Sequence, residues 1–314
     1  MQNIIEYLRE NIILQLYETS FGSFLDQWIP IIKQFVPAKT EMQILNLGDH
    51  LSEIFQTTAT AGRNQSELSG GGASWEAFIC WYLNLCLIGR RTVVIKHNRK
   101  FIPSPVSDAI TVNYHNFKSN SESDLIAITF PDRSEYEIDK FDIHVNDING
   151  SEVVVSKIKK SGDIEYNLHD VLDALSHRDF NQLEIHIIQS KTNWNDNAQI
   201  PMLWDAIYAA NSFSNGITVG TNGYSIHDVA RFTYSFVSVP TNRISLFTQT
   251  STAVLRVRNI SGGNYWGRPT KQGVANSLKE MLDRNLKGGS AESIISSIRR
   301  SAPELQTTYS YFKL

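Results

Sequence analysis

The sequence is short of the residues that build crosslinks, zinc sites and membrane spans. Among its 314 residues are two cysteines, Cys80 and Cys86, both in one apolar stretch. Two cysteines are too few for a zinc site, and in such a stretch they are expected to be small buried residues of a reducing compartment. The longest apolar run, residues 78–88, is interrupted by Asn84. We therefore expect a soluble, cytoplasmic protein.

An excess of positive charge is also missing. Lys and Arg number 29 against 32 Asp and Glu, which gives a net charge of -3 at pH 7. This balance provides no general attraction to nucleic acid, so any contact with DNA must come from a local basic patch. The chain also lacks the Gly-x-Ser-x-Gly and His-Glu-x-x-His motifs of common hydrolases, and no Gly-Lys-Ser/Thr follows Gly70–Gly72. A P-loop is not expected.

The apolar residues, 41% of the chain, suffice for one large domain with appendages or for two small ones. Helical spacing predicts two helices over residues 2–36 with a break at Gly22-Ser23, and a buried helix that Ser74 caps after a glycine-rich loop, 57–74. Strands are predicted at 91–96, 108–114, 124–130 and 183–191. The predicted fold is α/β (α+β), with a mixed central sheet flanked by helices and helical additions at both ends. Further runs at 216–223, 236–239, 244–247 and 253–258 are expected to extend that sheet.

The predicted strand at residues 183–191 has the sequence Leu-Glu-Ile-His-Ile-Ile-Gln-Ser-Lys. At a period of two, Gln189 and Lys191 project from one face and Ser190 from the other. A neutral amide oxygen can bind Mg2+, and an ammonium beside it can orient water and stabilise charge on a phosphate. The alternative is a strand that simply runs out into solvent.

Together with acidic residues upstream, this segment resembles the PD-(D/E)xK nuclease superfamily, in the variant whose middle carboxylate is Gln. The resemblance implies a restriction-endonuclease-like core with Mg2+ as its cofactor. Many members carry a glutamate on the helix before the core sheet, and Glu76 occupies that place here. The resemblance implies that Asp124, Glu76, Gln189 and the carbonyl of Ser190 hold the metal, while Lys191 orients the attacking water.

The choice of acid depends on strand direction. If the strand that begins at Asp124 pairs antiparallel with the 183–191 strand, Asp124 falls beside Gln189. Asp132, which follows Pro131 and matches the family name letter for letter, would then lie roughly 20 Å or more away. Asp108 is a third candidate.

The chain departs from the family pattern in the long insertion, 131–182, between the acid and the Gln-x-Lys element. In the insertion a hairpin through Ile143 and Val153 to Ile158 and a helix near residues 169–176 are predicted. An acid within it would restore a shorter spacing, and the candidates are Asp163, Asp170 and Asp179.

Residues that could contact DNA lie after the Gln-x-Lys strand and in a glycine-rich loop at 259–271 with the strand before it. The turn supplies Asn193, Asn195 and Asn197. Basic and aromatic side chains suited to a sugar-phosphate chain are Arg256, Arg258, Tyr265, Trp266, Arg268 and Lys271.

The predicted function is a Mg2+-dependent endodeoxyribonuclease that acts on double-stranded DNA, most like a type II restriction endonuclease. Such enzymes match a palindromic site with two-fold symmetry, so a homodimer is expected. The alternatives are a phage-defence nuclease without fixed site specificity and an inactive nuclease-like protein that binds nucleic acid. The predicted regions are a helical amino-terminal part, 1–60, a nuclease core, 61–260, and a basic, aromatic loop with carboxyl-terminal helices, 261–314.

Overall fold

The computed structural model describes residues 2–57, 65–96, 98–114, 117–119, 123–191, 207, 217–238, 248, 250–251, 263–266 and 277–314. The helices in these ranges are α1 (Ile4–Leu16), α2 (Gly22–Phe35), α3 (Glu41–Asn46), α4 (Leu51–Gln56), α5 (Gln65–Cys86), α6 (Ser104–Ala109), α7 (Leu168–Arg178), α8 (Lys279–Arg284) and α9 (Ile294–Ser301). The strands are β1 (Thr92–Lys96), β2 (Val112–Tyr114), β3 (Phe117–Ser119), β4 (Leu125–Thr129), β5 (Ser156–Ile158), β6 (Ile164–Tyr166), β7 (Glu184–Lys191), β8 (Ile217–Val219), β9 (Arg231–Ser238) and β10 (Gly263–Trp266).

A mixed sheet forms the centre of the fold. Its five strands follow the order β1-β4-β7-β9-β10. The pairs β1/β4 and β4/β7 are antiparallel, whereas β7/β9 and β9/β10 are parallel. The runs of β-branched residues in β1, β4 and β7 suit a buried strand, and these strands are almost wholly buried. The predicted fold class and the strands at 91–96, 124–130 and 183–191 are therefore confirmed.

The register brings three strand ends to one edge of the sheet. Lys96, the last residue of β1, pairs with Leu125, and Leu125 pairs with Ile188 near the end of β7. The beginning of β4 therefore lies between the ends of β1 and β7. We call this place the Asp124 edge, because Asp124 immediately precedes β4.

The outer side of β1 is closed by side chains of two helices. The Asn84 carboxamide of α5 accepts a hydrogen bond from the backbone N–H of Val94 (3.1 Å) and donates one to its carbonyl (2.6 Å). The buried Arg9 guanidinium of α1 donates to the carbonyls of Thr92 (3.1 Å) and Arg90 (2.8 Å), and Glu6 balances its charge. These bonds satisfy backbone groups that an edge strand otherwise leaves open.

The carboxyl-terminal segment is hydrogen-bonded to Arg90, which lies just before β1. The guanidinium of Arg90 donates to the carbonyls of Lys287 (2.6 Å), Gly288 (3.0 Å) and Glu292 (2.8 Å). Helices α8 and α9 confirm helical structure in this region, although they are shorter than the sequence pattern suggests. Within the ranges described above, no helix combines the length and the apolar character that crossing a bilayer requires.

Several sequence predictions were wrong in detail. Residues 108–114 do not form one strand, because a proline in the first turn of α6 starts a helix that continues to Ala109. The break near Gly22 appears one turn earlier, as a π-helical turn at Tyr17–Phe21. Strand β8 joins a second sheet with β2 and β3 and does not extend the central one.

The glycine-rich loop is the largest of these corrections. Helix α5 begins at Gln65, so most of the predicted loop is helical and Ser74 lies inside the helix. The long apolar stretch that follows is fully buried and continues the same helix, and such packing outweighs the low helix propensity of glycine. Helix α7 of the insertion is confirmed, whereas the predicted hairpin at 143–158 is an isolated bridge between Asn146 and Glu152, and the hairpin β5/β6 lies further along the chain. The division into three regions stays a prediction.

A buried histidine connects β7, β9 and the segment after α8. His186 lies against Ser235 Oγ (2.6 Å), the Asn285 amide (3.3 Å) and the Thr233 hydroxyl. Burial, with a smaller contribution from the charge of Arg231, lowers the pKa of His186 to about 3 from the usual 6.5. The imidazole is therefore neutral in the folded protein at neutral pH.

This neutral histidine predicts acid sensitivity. Because its pKa is lower in the folded than in the unfolded state, the unfolded chain takes up the proton first as the pH falls below 6.5. The free energy of unfolding should fall by up to about 1.4 kcal/mol per pH unit between pH 6 and pH 4 through this group. Urea unfolding of wild type and His186→Gln should give the variant a shallower pH slope. The exposed-histidine control His169→Gln should keep the wild-type slope, and equal slopes for all three proteins would contradict the prediction.

Candidate functional site

The Asp124 edge joins an acid to the end of β7 by a short hydrogen bond. The backbone N–H of Ser190 donates to Asp124 Oδ2 at 2.6 Å. Bonds to a charged carboxylate are shorter and stronger than neutral ones, so this contact fixes where the carboxylate lies. The predicted antiparallel pairing, which should bring Asp124 beside Gln189 and its neighbours, is confirmed by the register of β4 and β7.

The same register assigns faces to these residues. Ile126 pairs with Ile187, and alternation along both strands puts Asp124 and Gln189 opposite each other on that face. Ser190 follows on the other face, as the period of two predicts. Its backbone N–H nevertheless reaches Asp124, because backbone donors lie in the plane of the sheet.

Two oxygen atoms at this edge are buried without a hydrogen bond. Gln189 is 6% exposed and Ser190 is 4% exposed. Gln189 Oε1 and Ser190 Oγ have no hydrogen-bond partner among the described residues. Leaving such a group unpaired costs about 1–3 kcal/mol, so a buried amide oxygen of this kind indicates a position that a ligand or ion could fill.

An ion pair between α5 and β1 lies at the same edge. Lys96 Nζ is 3.5 Å from Glu76 Oε2 and donates to the carbonyl of Ala73 at 2.9 Å. Both side chains are about one-fifth exposed, so water screens their attraction only partly. Lys96 pairs with Leu125, which follows Asp124, so Glu76 lies at the same end of the sheet. By alternation along β1, the Lys96 side chain shares the face of Leu125, opposite to that of Asp124 and Gln189.

Lys96 is a residue that the sequence interpretation missed. The sequence did indicate a special position, because Lys96 is the last residue of a predicted strand and the only charged one in the run Thr-Val-Val-Ile-Lys. What the sequence did not contain was the register, which brings that strand end beside Asp124. The basic group at this edge was therefore assigned to Lys191 alone.

The oxygen atoms at the Asp124 edge could bind a hard divalent cation only if carboxylate, amide and backbone carbonyl oxygens act together. Within the described ranges, no three His, Cys, Asp or Glu side chains come together as a metal site. Carboxylate, amide and backbone carbonyl oxygens are nevertheless the ligands that Mg2+ takes in proteins. A carboxylate offers about four acceptor positions, so Asp124 can accept hydrogen bonds and contact a cation at the same time.

Lys191 and most of the predicted DNA contacts lie partly or wholly outside the described part of the chain. The backbone of Lys191 pairs with Ser238, but its side chain lies outside the described part of the chain. The backbone of Tyr265 and Trp266 belongs to β10 and not to a loop, and their side chains are not described. The residues that lie wholly outside the described ranges are Asn193, Asn195, Asn197, Arg256, Arg258, Arg268 and Lys271.

The two other acids near predicted strands lie away from this set. Asp132 follows the far end of β4, is highly exposed and pairs with Arg91 Nη1 at 3.2 Å. Asp108 belongs to α6, where it accepts a hydrogen bond from Asn222 Nδ2 at 3.0 Å. The preference for Asp124 over Asp132 therefore agrees with the geometry.

The acids of the insertion have contacts of their own. Asp179 is fully buried, accepts a hydrogen bond from the Tyr136 hydroxyl at 3.0 Å and pairs with Arg178 at 2.7 Å. Asp163 accepts from Ser161 Oγ in the turn between β5 and β6, and Asp170 is exposed in the first turn of α7. Asp179 comes just before the beginning of β7, at the opposite end of that strand from Gln189.

The unpaired amide of Gln189 predicts an unusual mutational result. Replacing it by leucine removes a buried oxygen without a partner, so Gln189→Leu should leave the free energy of unfolding unchanged or raise it by about 1 kcal/mol. The matched control is Asn84→Leu, another buried amide whose oxygen and nitrogen are both bonded, which should lose about 2 kcal/mol or more. Urea unfolding of both variants tests this. A loss at Gln189 as large as that at Asn84 would show that the amide serves the fold.

Comparisons with known proteins add nothing to this geometry: no family model matches the chain, and no curated protein matches it significantly. The function has to be inferred from the residues themselves.

Proposed function

We propose that this protein is a Mg2+-dependent endonuclease that hydrolyses phosphodiester bonds of double-stranded DNA. The observation that carries the proposal is the Asp124 carboxylate, hydrogen-bonded to the strand end where Gln189 has a buried, unpaired oxygen. The order of elements supports it as well, because a helix with Glu76 precedes β1, and the acid and the Gln-x-Lys run follow on β4 and β7. These are the positions that the resemblance to the PD-(D/E)xK superfamily implies.

The metal would be held by Asp124, Glu76, Gln189 Oε1 and the backbone carbonyl of Ser190. A bound Mg2+ supplies charge stabilisation at the phosphate and a more acidic water. Because Gln189 is neutral, this set carries one negative charge fewer than an all-carboxylate site. Metal affinity should therefore depend mainly on Asp124 and Glu76.

The surrounding groups keep these ligands in position. The Ser190 N–H holds Asp124 Oδ2, so the carboxylate is fixed relative to Gln189 before any ligand arrives. Lys96 holds Glu76 from β1 and adds positive charge to an edge that would receive a phosphate. Preorganised charge of this kind lowers the energy of a transition state because nothing has to reorient during the reaction.

Lys191 completes the proposed set as the cation nearest to Gln189 in the sequence. We assign it the orientation of the attacking water and the stabilisation of charge that develops on phosphorus oxygens. This assignment depends on its place two residues after Gln189 on β7. A type II restriction enzyme acting as a homodimer is the form that we propose, since a two-fold protein fits a palindromic site.

Plasmid and phage DNA provide the direct test. Wild type should cut both with Mg2+ and neither with chelator, while Asp124→Asn and Lys191→Ala should lose at least about 100-fold in rate, as expected on removal of a preorganised charge. The matched control is Asp132→Asn, which changes the acid that follows Pro131 at the other end of β4 and should keep wild-type activity. Loss of activity in Asp132→Asn but not in Asp124→Asn would overturn the choice of acid.

The fragments themselves separate the alternatives. A defined set of bands with constant end sequences supports a site-specific restriction enzyme, whereas a smear supports a phage-defence nuclease without fixed specificity. Binding of DNA without any Mg2+-dependent cutting would identify an inactive nuclease-like protein and refute the catalytic proposal.

Metal binding can be measured apart from catalysis. Mg2+ at about ten times its dissociation constant should stabilise the folded wild-type protein by about 1.4 kcal/mol, because it binds only the folded state. Thermal unfolding should show this rise in wild type and in Lys191→Ala, but not in Asp124→Asn. An equal rise in Asp124→Asn would mean that Asp124 is not a ligand.

A further inference from the structure

A polar cleft has no part in the site described above. Its volume is about 460 Å3, and it is lined by residues of α6, the second sheet, α7 and the segment after β1. Most of the described lining side chains can donate a hydrogen bond. They include Arg99, Lys118 and His169 together with serine and threonine hydroxyls. A surface rich in donors and cations suits an anion.

The cations of the cleft are available to a ligand. Arg99 and Lys118 are both exposed, and Arg99 forms no ion pair within the described ranges. Lys118 Nζ donates to Thr221 Oγ1 at 2.8 Å, which leaves two of its three N–H donors for other partners. His169 lies 3.7 Å from Asp173, so that acid moderates any charge on the imidazole.

One acid opposes this charge. Asp108 is the single Asp or Glu among the described lining residues, and its carboxylate accepts a hydrogen bond from Asn222 Nδ2 at 3.0 Å. Asp173, which does not line the cleft, accepts hydrogen bonds from the Ser104 N–H and hydroxyl and approaches His169, so Arg99 and Lys118 outnumber the acids only among the lining residues themselves. The chain as a whole carries -3, so contact with a polyanion depends on individual cations such as these two.

The lining also indicates which part of a nucleic acid would enter. The described lining residues include no Phe, Tyr or Trp, and Ile102 is the one apolar side chain. A base held in a pocket usually stacks on an aromatic ring, whereas phosphate is bound by Arg, Lys and hydroxyl donors. The cleft is therefore suited to phosphate and sugar.

Spacing along the chain limits how far the cleft can lie from the Asp124 edge. Arg99 follows Lys96 by three residues, so their Cα atoms are at most about 11 Å apart. Ser119, another lining residue, precedes Asp124 by five residues, which limits that Cα separation to about 19 Å. Nucleotides of one strand rise about 3.4 Å each, so these limits correspond to a few nucleotides.

We propose that the cleft formed around Arg99 and Lys118 binds a backbone phosphate of the DNA strand, a few nucleotides from the bond that is cut. The inference rests on the proposed function for the identity of the substrate, but the binding itself requires neither metal nor cutting. The cleft would fix the position of the strand relative to Asp124. It would not discriminate between bases, because phosphate contacts carry no direct sequence information.

The test measures DNA binding in chelator, where nothing is cut. Fluorescence anisotropy with a labelled 30-base-pair duplex at several salt concentrations gives the affinity and its salt slope. For the double variant Arg99→Gln/Lys118→Gln, affinity should fall on the order of tenfold and the magnitude of the slope by about 0.9 for one lost phosphate contact. The conservative pair Arg99→Lys/Lys118→Arg should keep the wild-type slope.

The matched control removes two charges elsewhere. Lys33→Gln/Lys160→Gln changes two exposed lysines that do not line the cleft, with the same loss of net charge. If this control and the cleft variant change the slope equally, or if the cleft variant keeps the wild-type slope, the inference is overturned. Thermal melting of each variant checks that it is folded.

Two further outcomes separate this inference from the proposed function. Binding that depends on the cleft, together with no cutting when Mg2+ is added, supports the cleft and refutes the nuclease. The second outcome comes from titration of the protein with inorganic phosphate. Saturable phosphate binding that requires Arg99 and Lys118, without binding of duplex DNA, would mean that the cleft takes a free anion and would overturn the assignment to a DNA strand.

Discussion

The antiparallel register between β4 and β7 determines where Asp124, Gln189 and Ser190 lie. It pairs Leu125 with Ile188, and the bond from the Ser190 N–H to Asp124 continues that pairing by one residue. A shift of one residue would turn Gln189 to the opposite face and separate it from Asp124. The interior isoleucines of both strands resist such a shift, because it would move every side chain of the strand to the opposite buried face and break its packing.

Apolar packing and site geometry are thus products of the same pairing. The strand that buries Ile185 and Ile187 also delivers Gln189 to the sheet edge, where its amide oxygen is buried without a partner. It is one of several buried oxygens without a partner in the described ranges, whereas the comparable amide of Asn84 is bonded on both atoms. This contrast between two buried amides supports the proposal that Gln189 binds a ligand.

Much of the fold could be predicted from the sequence, because its central strands are short runs of β-branched residues with clear ends. The preference for Asp124 over Asp132 also followed from strand direction alone. Where tertiary packing determines the local structure, predictions from local sequence patterns were wrong, as at the glycine-rich start of α5, at α6 and at β8. Lys96 was missed for a related reason, since a single strand shows which residue comes last but not which strand end lies beside it. The roles of Glu76, Gln189 and Lys191 in binding metal and in catalysis stay predictions.

The closure of β1 by Asn84 and Arg9 limits how two copies of this chain can associate. Many dimers form when edge strands of two subunits pair and continue one sheet through both. Here the outward N–H and carbonyl of Val94 and the carbonyl of Thr92 are already occupied by side chains of the same molecule. A second copy therefore cannot join its sheet to this one across β1, and a two-fold assembly has to use another surface.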